Sequence, residues 1–378
     1  MYLKSFIFHI VFIIGCNAIC DKNLISDLSF KISGVNVEFS CENTKNIYIT
    51  SGRYVPKNMI PIRMQIYKDW AILALPRYRE GVPFCLAKFS LKTKGCHATL
   101  EPFPCWSLQE EGNCDAFQSV VDIYLDPFEN LWVLDTGIVN TLDQPVKRCP
   151  PKIVGINMKT GQIIKVIDLS KFLTPLSKLQ YILVDFDKSS NPFAYVSDAG
   201  AAAIVVYDVL NDKGFRIMLP NTITDLVPQR DVLYIVLSQN EGNGNEIFFT
   251  YLSDPKMYSI NSEDLQAGKT TGVIRDEGLK PTGSPIVPLG TDNGAAIFFR
   301  FKGESDIYLW DTETSFKVDN FFLIQKGDEC RLPTQVVPGY KKLMWVLESN
   351  FPDFIANMAG SLGPSVAVYP LIKACDKF

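Results

Sequence analysis

Short apolar runs rich in aromatic and β-branched residues recur along the chain, and their length and composition predict strands. Six stand out, at residues 70–76, 131–137, 193–200, 232–238, 295–301 and 343–349. Most are followed by an alternating strand, a polar turn and a second alternating strand, the pattern of a hairpin. The clearest hairpin spans 152–168 and turns at Lys159-Thr160-Gly161; 203–217 repeats it, turning at 211–214, and 306–318 repeats it again. Shorter echoes lie at 85–91, 257–268 and 366–372. Six units over residues 21–378 leave roughly 60 residues each, room for four strands and their connections. The expected fold is therefore all-β, a single six-bladed β-propeller of four-stranded sheets over 21–378. Two packed β-sandwiches are the competing arrangement, but no Pro/Gly/Ser-rich linker divides the chain. Long helical periodicity is absent, and 169–183 reads as a short helical or irregular connection.

Composition narrows the function. Hydrophobic residues make up 47% and charged residues 21%, the balance of a globular protein. Lys+Arg 37 against Asp+Glu 41 gives a net charge of −4, which argues against a nucleic-acid-binding surface. Lys4 precedes an apolar core at residues 5–15 that is too short to span a bilayer, and small residues follow at cleavage spacing. Residues 1–20 are thus expected to be a secretory signal peptide, with an N-terminal anchor helix as the alternative. No later stretch is apolar enough for a transmembrane helix, so a soluble, secreted, extracellular protein with no membrane partner is expected.

Cleavage after Ala18 leaves nine cysteines and cleavage after Cys20 leaves eight, an even set that can pair fully in an oxidising compartment. Cys85 and Cys96 bracket a short hairpin, and Cys330 and Cys375 both fall in the last unit, where a bridge would tie down the terminus. Sequence alone does not fix these pairs. Of two histidines, His9 and His97, only His97 survives removal of residues 1–20. Zinc sites and hydrolase triads draw on histidine, and His97 reads as a surface residue in a turn. Phosphate loops and dinucleotide fingerprints are absent, and neither a metal nor a cofactor is expected.

Several motifs resemble those of one family. Glu129-Asn-Leu-Trp-Val-Leu-Asp-Thr-Gly137, followed by Cys149-Pro-Pro-Lys-Ile-Val-Gly-Ile-Asn-Met-Lys-Thr160, is similar to the core signature of the insect yellow / major royal jelly protein family. Ser51-Gly-Arg-Tyr-Val-Pro-Lys-Asn-Met-Ile-Pro61, Leu75-Pro-Arg-Tyr-Arg-Glu-Gly-Val-Pro83 and Glu111-Gly-Asn-Cys-Asp115 resemble its motifs ahead of that signature. Asp198 with Ile204-Val-Val-Tyr207 fits the middle repeat, and Trp345-Val-Leu-Glu-Ser-Asn-Phe-Pro352 resembles the terminal motif. The resemblance implies a secreted six-bladed propeller. It leaves several functions open: cuticle melanisation with dopachrome conversion in some members, nutritive secretion, and salivary binding of biogenic amines in the central channel.

The resemblance also implies particular residues. Thr334, Ser349 and Phe351 match the ligand-lining positions of the amine binders; Ser349 stands where an amide is expected, and Val121 where a tyrosine is. For dopachrome conversion the groups available for general acid/base work are Asp135, Asp198 and Glu348, read as ends of inner strands that project toward the channel mouth. Asp135 and Asp198 have a competing reading as turn caps, since each precedes a turn containing glycine. Cys114 and Cys149 match two family cysteines and are expected to bond, closing a loop of 36 residues worth about 3–4 kcal/mol by loop entropy. A further family cysteine pair is replaced by Phe128 and Ser189, and another cysteine by Leu309. The leading expectation is a monomeric yellow-family protein of the catecholamine and melanin pathway. It engages a small aromatic ligand (catecholamine, indoleamine or dopachrome) at the central channel. A non-enzymatic amine binder, or a nutritive or structural secretion, is the alternative.

Overall fold

In the computed structural model, residues 28–93, 97–224, 227–228, 231–240, 244–269, 273–281, 284–327, 330–361 and 363–371 are described. The signal peptide expected at 1–20, and Cys96 and Cys375, lie outside them. The apolar runs pair antiparallel with their neighbours into four-stranded sheets. Blade 1 is Arg63–Tyr67, Trp70–Ala74, Leu86–Ser90 and His97–Pro102; blade 2 is Val120–Leu125, Asn130–Asp135, Lys152–Asn157 and Ile163–Asp168. Blade 3 is Leu179–Phe186, Pro192–Asp198, Ala203–Asp208 and Lys213–Met218; blade 4 is Leu233–Asn240, Gly244–Tyr251, Lys256–Asn261 and Arg275–Leu279. Blade 5 is Ile286–Thr291, Ala296–Phe301, Ile307–Asp311 and Phe321–Gln325. Blade 6 takes Leu332–Pro338, Met344–Ser349 and Val366–Pro370 from the end of the chain, and Phe30–Val37 from its beginning.

The first strand of each blade packs against the first strands of the blades before and after it, and blade 6 meets blade 1, so six inner strands close a ring around a central channel. Six apolar cores fill the spaces between neighbouring blades, one per junction. The N-terminal strand locks the ring. Phe30–Val37 runs antiparallel to Val366–Pro370 and parallel to His97–Pro102, joining the last and first blades into one eight-stranded sheet. Phe30 drives this docking: it is 1% exposed and packs against Phe89 of blade 1 and Trp345 of blade 6. First and last blades are thus joined by a strand.

The phase of the strands differs from the sequence reading. Of the six apolar runs, only that at 232–238 matches an inner strand; the others are second strands. The reason is burial. Second strands are covered on both faces by adjacent blades and read as continuous apolar runs, as in Asn130–Asp135 and Met344–Ser349. Inner strands turn alternate residues to the channel and are broken by polar positions, as in Val120–Leu125 and Leu179–Phe186.

Two hairpins also differ. The segment expected to return by 318 forms a short 3-10 turn at Val318–Asn320, sends Phe316 into the core, and pairs only at Phe321–Gln325. After Lys256–Asn261 the chain enters a short helix, Ser262–Gln266, whose first turn is capped by Asn261 accepting from the Glu263 N–H at 2.9 Å. A second helix, Glu42–Thr50, buries none of its residues and has no apolar stripe by which sequence would reveal it.

Candidate functional site

One end of the channel opens into a cavity of about 470 Å³. Its wall is built by inner strands, by the end of the second strand of blade 5 and by connecting loops. Blade 1 contributes Arg63 and Tyr78, blade 2 Ser119, Val121 and Thr136, blade 3 Tyr181, blade 4 Tyr234, blade 5 Arg300, and blade 6 Thr334 and Phe351. Aromatic rings give it a flat apolar lining. Tyr181 and Tyr234 stack with centroids 5.3 Å apart, and Tyr78 meets Phe351 at 5.9 Å. Burial pushes the hydroxyls of Tyr78, Tyr181 and Tyr234 above the ordinary phenol range, so they stay protonated donors at any physiological pH.

Two arginines bracket the inner strand of blade 6. Arg63 reaches it from blade 1 and donates through Nη1 to the carbonyl of Thr334 at 2.9 Å. Arg300 reaches it from blade 5 and donates through Nε to the carbonyl of Pro333 at 2.8 Å. Arg63 also lies over the Tyr181 ring, 4.5 Å from its centroid, with Nε 3.6 Å from Asp122 Oδ1. Asp122 sits deeper along the channel, accepting from the backbone N–H groups of Ile123 at 2.9 Å and Ile182 at 2.8 Å. Burial raises its carboxyl to about 6, against the pull of Arg63 and these two donors.

Of the ligand positions implied by resemblance, Thr334 and Phe351 both line this cavity, and so does Val121. Thr334 Oγ1 donates to the Leu347 carbonyl at 3.1 Å and keeps its lone pairs for an incoming donor. Ser349 does not reach the cavity. It closes a second strand, is 0% exposed, and its hydroxyl has no hydrogen-bond partner among the described residues.

The three candidate catalytic carboxylates, at the ends of second strands, also lie off the cavity wall, each taken up by donors of the fold. Asp135 accepts from the N–H groups of Gln118 and Ser119 at 2.8 Å each and of Gly137 at 3.0 Å, tying its own strand exit to the start of blade 2. Asp198 does the same in blade 3, accepting from Lys178 N–H at 2.7 Å and Ala201 N–H at 3.1 Å. Both are turn caps. Glu348 faces away from the channel and accepts from Arg331 Nε and, at 2.8 Å, from the Tyr369 hydroxyl.

The segment at 103–118 is pinned between blades 1 and 2. Arg77, 2% exposed, donates to five carbonyls: Val82 at 2.9 Å, Phe117 at 2.8 Å, Gln118 at 2.7 Å, Pro83 at 3.3 Å, and Gln109. Lys152 Nζ donates to the carbonyls of Cys114 at 2.6 Å and Ala116 at 2.8 Å. Cys114 and Cys149 form a disulfide. Gly137, at φ +68°, lies so close to the Cys149 carbonyl that a Cβ there would come within 2.1 Å of the oxygen. Cys85 is a free, fully buried thiol between Arg77 and Gln109; Cys96, the partner expected for it, lies outside the described residues. Cys375, expected to join Cys330, lies outside them as well.

Where a family cysteine pair is replaced, the Phe128 ring meets Phe186 edge-on at 4.7 Å, three residues before Ser189. His97 begins an outer strand and is exposed. Among the described residues no group of three or more His, Cys, Asp and Glu side chains is placed to hold a metal ion. Among them, too, no helix is long and apolar enough to cross a membrane.

Sequence reading missed Arg63, Asp122, Tyr181, Tyr234 and Arg300. Their signal is a single polar or charged residue within an apolar strand, as in Ile60-Pro-Ile-Arg-Met64, Val120-Val-Asp-Ile123 and Phe298-Phe-Arg-Phe301.

The comparisons agree with this architecture. A solved α-L-arabinanase of Penicillium chrysogenum, in complex with arabinobiose, superposes with a TM-score of 0.50 at 12% identity, covering 84% of this chain and 95% of that one. That likeness speaks for the fold alone. Major royal jelly protein 1 of Apis mellifera is 24% identical over 317 residues, 77% of this chain and 71% of that protein. Major royal jelly protein 2 of the same species is 25% identical over 340 residues, 85% of this chain and 72% of its own. A dopaminechrome tautomerase of Drosophila melanogaster is 28% identical over 182 residues, 47% of this chain and 39% of that protein. The family model "Major royal jelly protein" matches residues 118–361, which hold blades 2 to 5 and the first two strands of blade 6. The chain belongs to the major royal jelly protein family.

Proposed function

We propose that this is a secreted protein of the catecholamine and melanin pathway that engages a small aromatic ligand in the cavity at the channel mouth. The observation that carries the reading is the cavity itself. It is a concave, aromatic-lined space of about 470 Å³, within the usual range for small-molecule sites, with hydroxyl and guanidinium donors in its wall. The similarity to a dopaminechrome tautomerase supports the choice of pathway. Tautomerisation of such an aminochrome is redox-neutral: a proton leaves a ring carbon and one is added to a quinone oxygen. It needs an acid and a base and no co-reactant. The buried tyrosine hydroxyls are suited to donate to the oxygen. Asp122, with its carboxyl raised to about 6, is the channel carboxylate nearest the pH range of a general base.

A specific observation favours a second reading, a binder without catalysis. The residues lining the cavity include no Asp, Glu or His, and Asp122 lies beneath Arg63. Incubating the purified protein with dopachrome and with dopaminechrome, and following their visible absorbance, separates the two. Loss faster than the spontaneous rate is expected for conversion. A rate equal to the spontaneous one, with binding still seen by calorimetry, leaves the binder.

A further inference from the structure

The charge of the cavity wall selects among aromatic ligands. Arg63 is balanced by Asp122, at 3.6 Å. Arg300 has no such partner. It donates through Nε to the Pro333 carbonyl at 2.8 Å and through Nη1 to the Phe301 carbonyl at 3.1 Å, and among the described residues no carboxylate pairs with it. Its Nη2 has no partner among the described residues, and the lining of the cavity holds no Asp or Glu to offset it. A largely buried cation without a counter-charge is unfavourable, and burial does pull the Arg300 guanidinium below its ordinary range. A bound anion relieves that cost, and a guanidinium with unused N–H groups is shaped to receive a carboxylate.

Arg63 and Arg300 bond to the consecutive carbonyls of Thr334 and Pro333, from opposite sides of one strand. Successive carbonyls of a strand point to opposite sides, so the strand lies between the two guanidiniums, and Thr334 and both arginines line the same cavity.

We propose that the cavity takes a monoanionic aromatic acid, its carboxylate received by Arg300, and its ring against Tyr78, Tyr234 and Phe351. This rests on reading the cavity as the ligand site and narrows that reading: a positively charged amine such as serotonin or dopamine meets a cationic wall with no acid to answer it.

Calorimetry on the full secreted protein with indole-2-carboxylate, indole and serotonin tests the proposal. Indole-2-carboxylate is expected to bind at least tenfold more tightly than either of the others. Arg300→Met is expected to remove that advantage while leaving indole affinity within about twofold, and Arg300→Lys to keep most of it. Serotonin binding as tightly as the acid overturns the proposal and leaves the channel-ligand reading standing, provided Phe351→Ala weakens it. So does an acid affinity unchanged in a folded Arg300→Met variant. If none of the three probes binds, both readings fall together. Should Arg300→Met not fold, the ratio of acid to amine affinity in the unaltered protein still decides.

Discussion

Two arginines, the buried Arg77 and the half-buried Arg300, lie in the same molecule under opposite conditions. Arg77 is closed: five backbone carbonyls from three segments take up its donors, and it holds the segment at 103–118 against blade 1. Arg300 is open: two carbonyls hold it in place, and the rest of the guanidinium faces a cavity. A cation whose every donor is used inside the chain stabilises the fold and has nothing left to offer a ligand. One left half-used destabilises slightly and is available for recognition. The same contrast separates Asp135, saturated by three N–H groups, from Asp122, left titratable beside the channel.

The largest test of this contrast is to remove each arginine in turn. Arg77→Met strands five buried carbonyls, and at about 1–3 kcal/mol per unsatisfied group the loss should be 5 kcal/mol or more. That is comparable to the whole stability of many domains, so little folded protein should be recovered. Arg300→Met takes a donor from the Pro333 carbonyl, while the Phe301 carbonyl keeps the Glu304 N–H at 3.1 Å; it also removes an uncompensated, half-buried charge, and should cost only about 1–2 kcal/mol. Urea midpoints measure both. Equal losses would show that Arg77 is no more structural than Arg300.

A smaller effect comes from the covalent tie in the closed region. Cys114→Ser with Cys149→Ser removes a cross-link between residues 35 apart, at a cost of about 3 kcal/mol. Because the loop is also held by Arg77 and Lys152, the double variant should fold and keep the ligand affinity of the intact protein. A loss of affinity beyond about threefold would mean that the closed region governs the open one.

Motif residues stand out in the sequence, yet most of them serve the closed region. Arg77, Asp135, Gly137, Cys114 and Cys149 lie in or beside recognisable motifs, because a close-packed knot of buried bonds tolerates few residue types at each position. The blade count was legible for a related reason: second strands, buried on both faces, read as continuous apolar runs. The cavity was less legible. Thr334 and Phe351 are reached by family resemblance, but Arg63, Tyr181, Tyr234 and Arg300 come from four different blades and have no spacing in common. Each is a lone polar or aromatic position in a short strand, and only ring closure brings them together. Assigning the second strands to the axis set Asp135, Asp198 and Glu348 at the channel mouth, whereas their strand ends lie off the cavity wall.

Asp122 offers a pH test of the open region. Its folded-state carboxyl, raised to about 6 from an ordinary value of 3.8, binds a proton more readily than the unfolded chain does. Stability should therefore fall as pH rises from about 4 to about 6, by up to about 3 kcal/mol, and level off above. Asp122→Asn should flatten that slope, and by leaving Arg63 uncompensated it should tighten binding of an aromatic acid. Denaturant midpoints across pH 4–7 read the first effect and calorimetry the second. A slope unchanged in the variant would assign the titration to another group.

The smallest expected change sets two hydroxyls of blade 6 against each other. Ser349 is fully buried with its Oγ unbonded, and it lies off the cavity wall. Ser349→Ala removes a polar atom that has already lost its water and gained nothing, so stability should be unchanged or rise by up to about 1 kcal/mol. Ligand affinity should not move. Thr334 sits on the wall between the two guanidiniums, and its hydroxyl is bonded to Leu347 only through its hydrogen. Thr334→Val keeps the shape, deletes the acceptor and donor, and should weaken an aromatic ligand severalfold at a stability cost of about 1 kcal/mol. The pair therefore exchanges roles between the two assays. An affinity loss at Ser349 with none at Thr334 would place the ligand elsewhere than in the channel mouth, whichever way the stabilities fall.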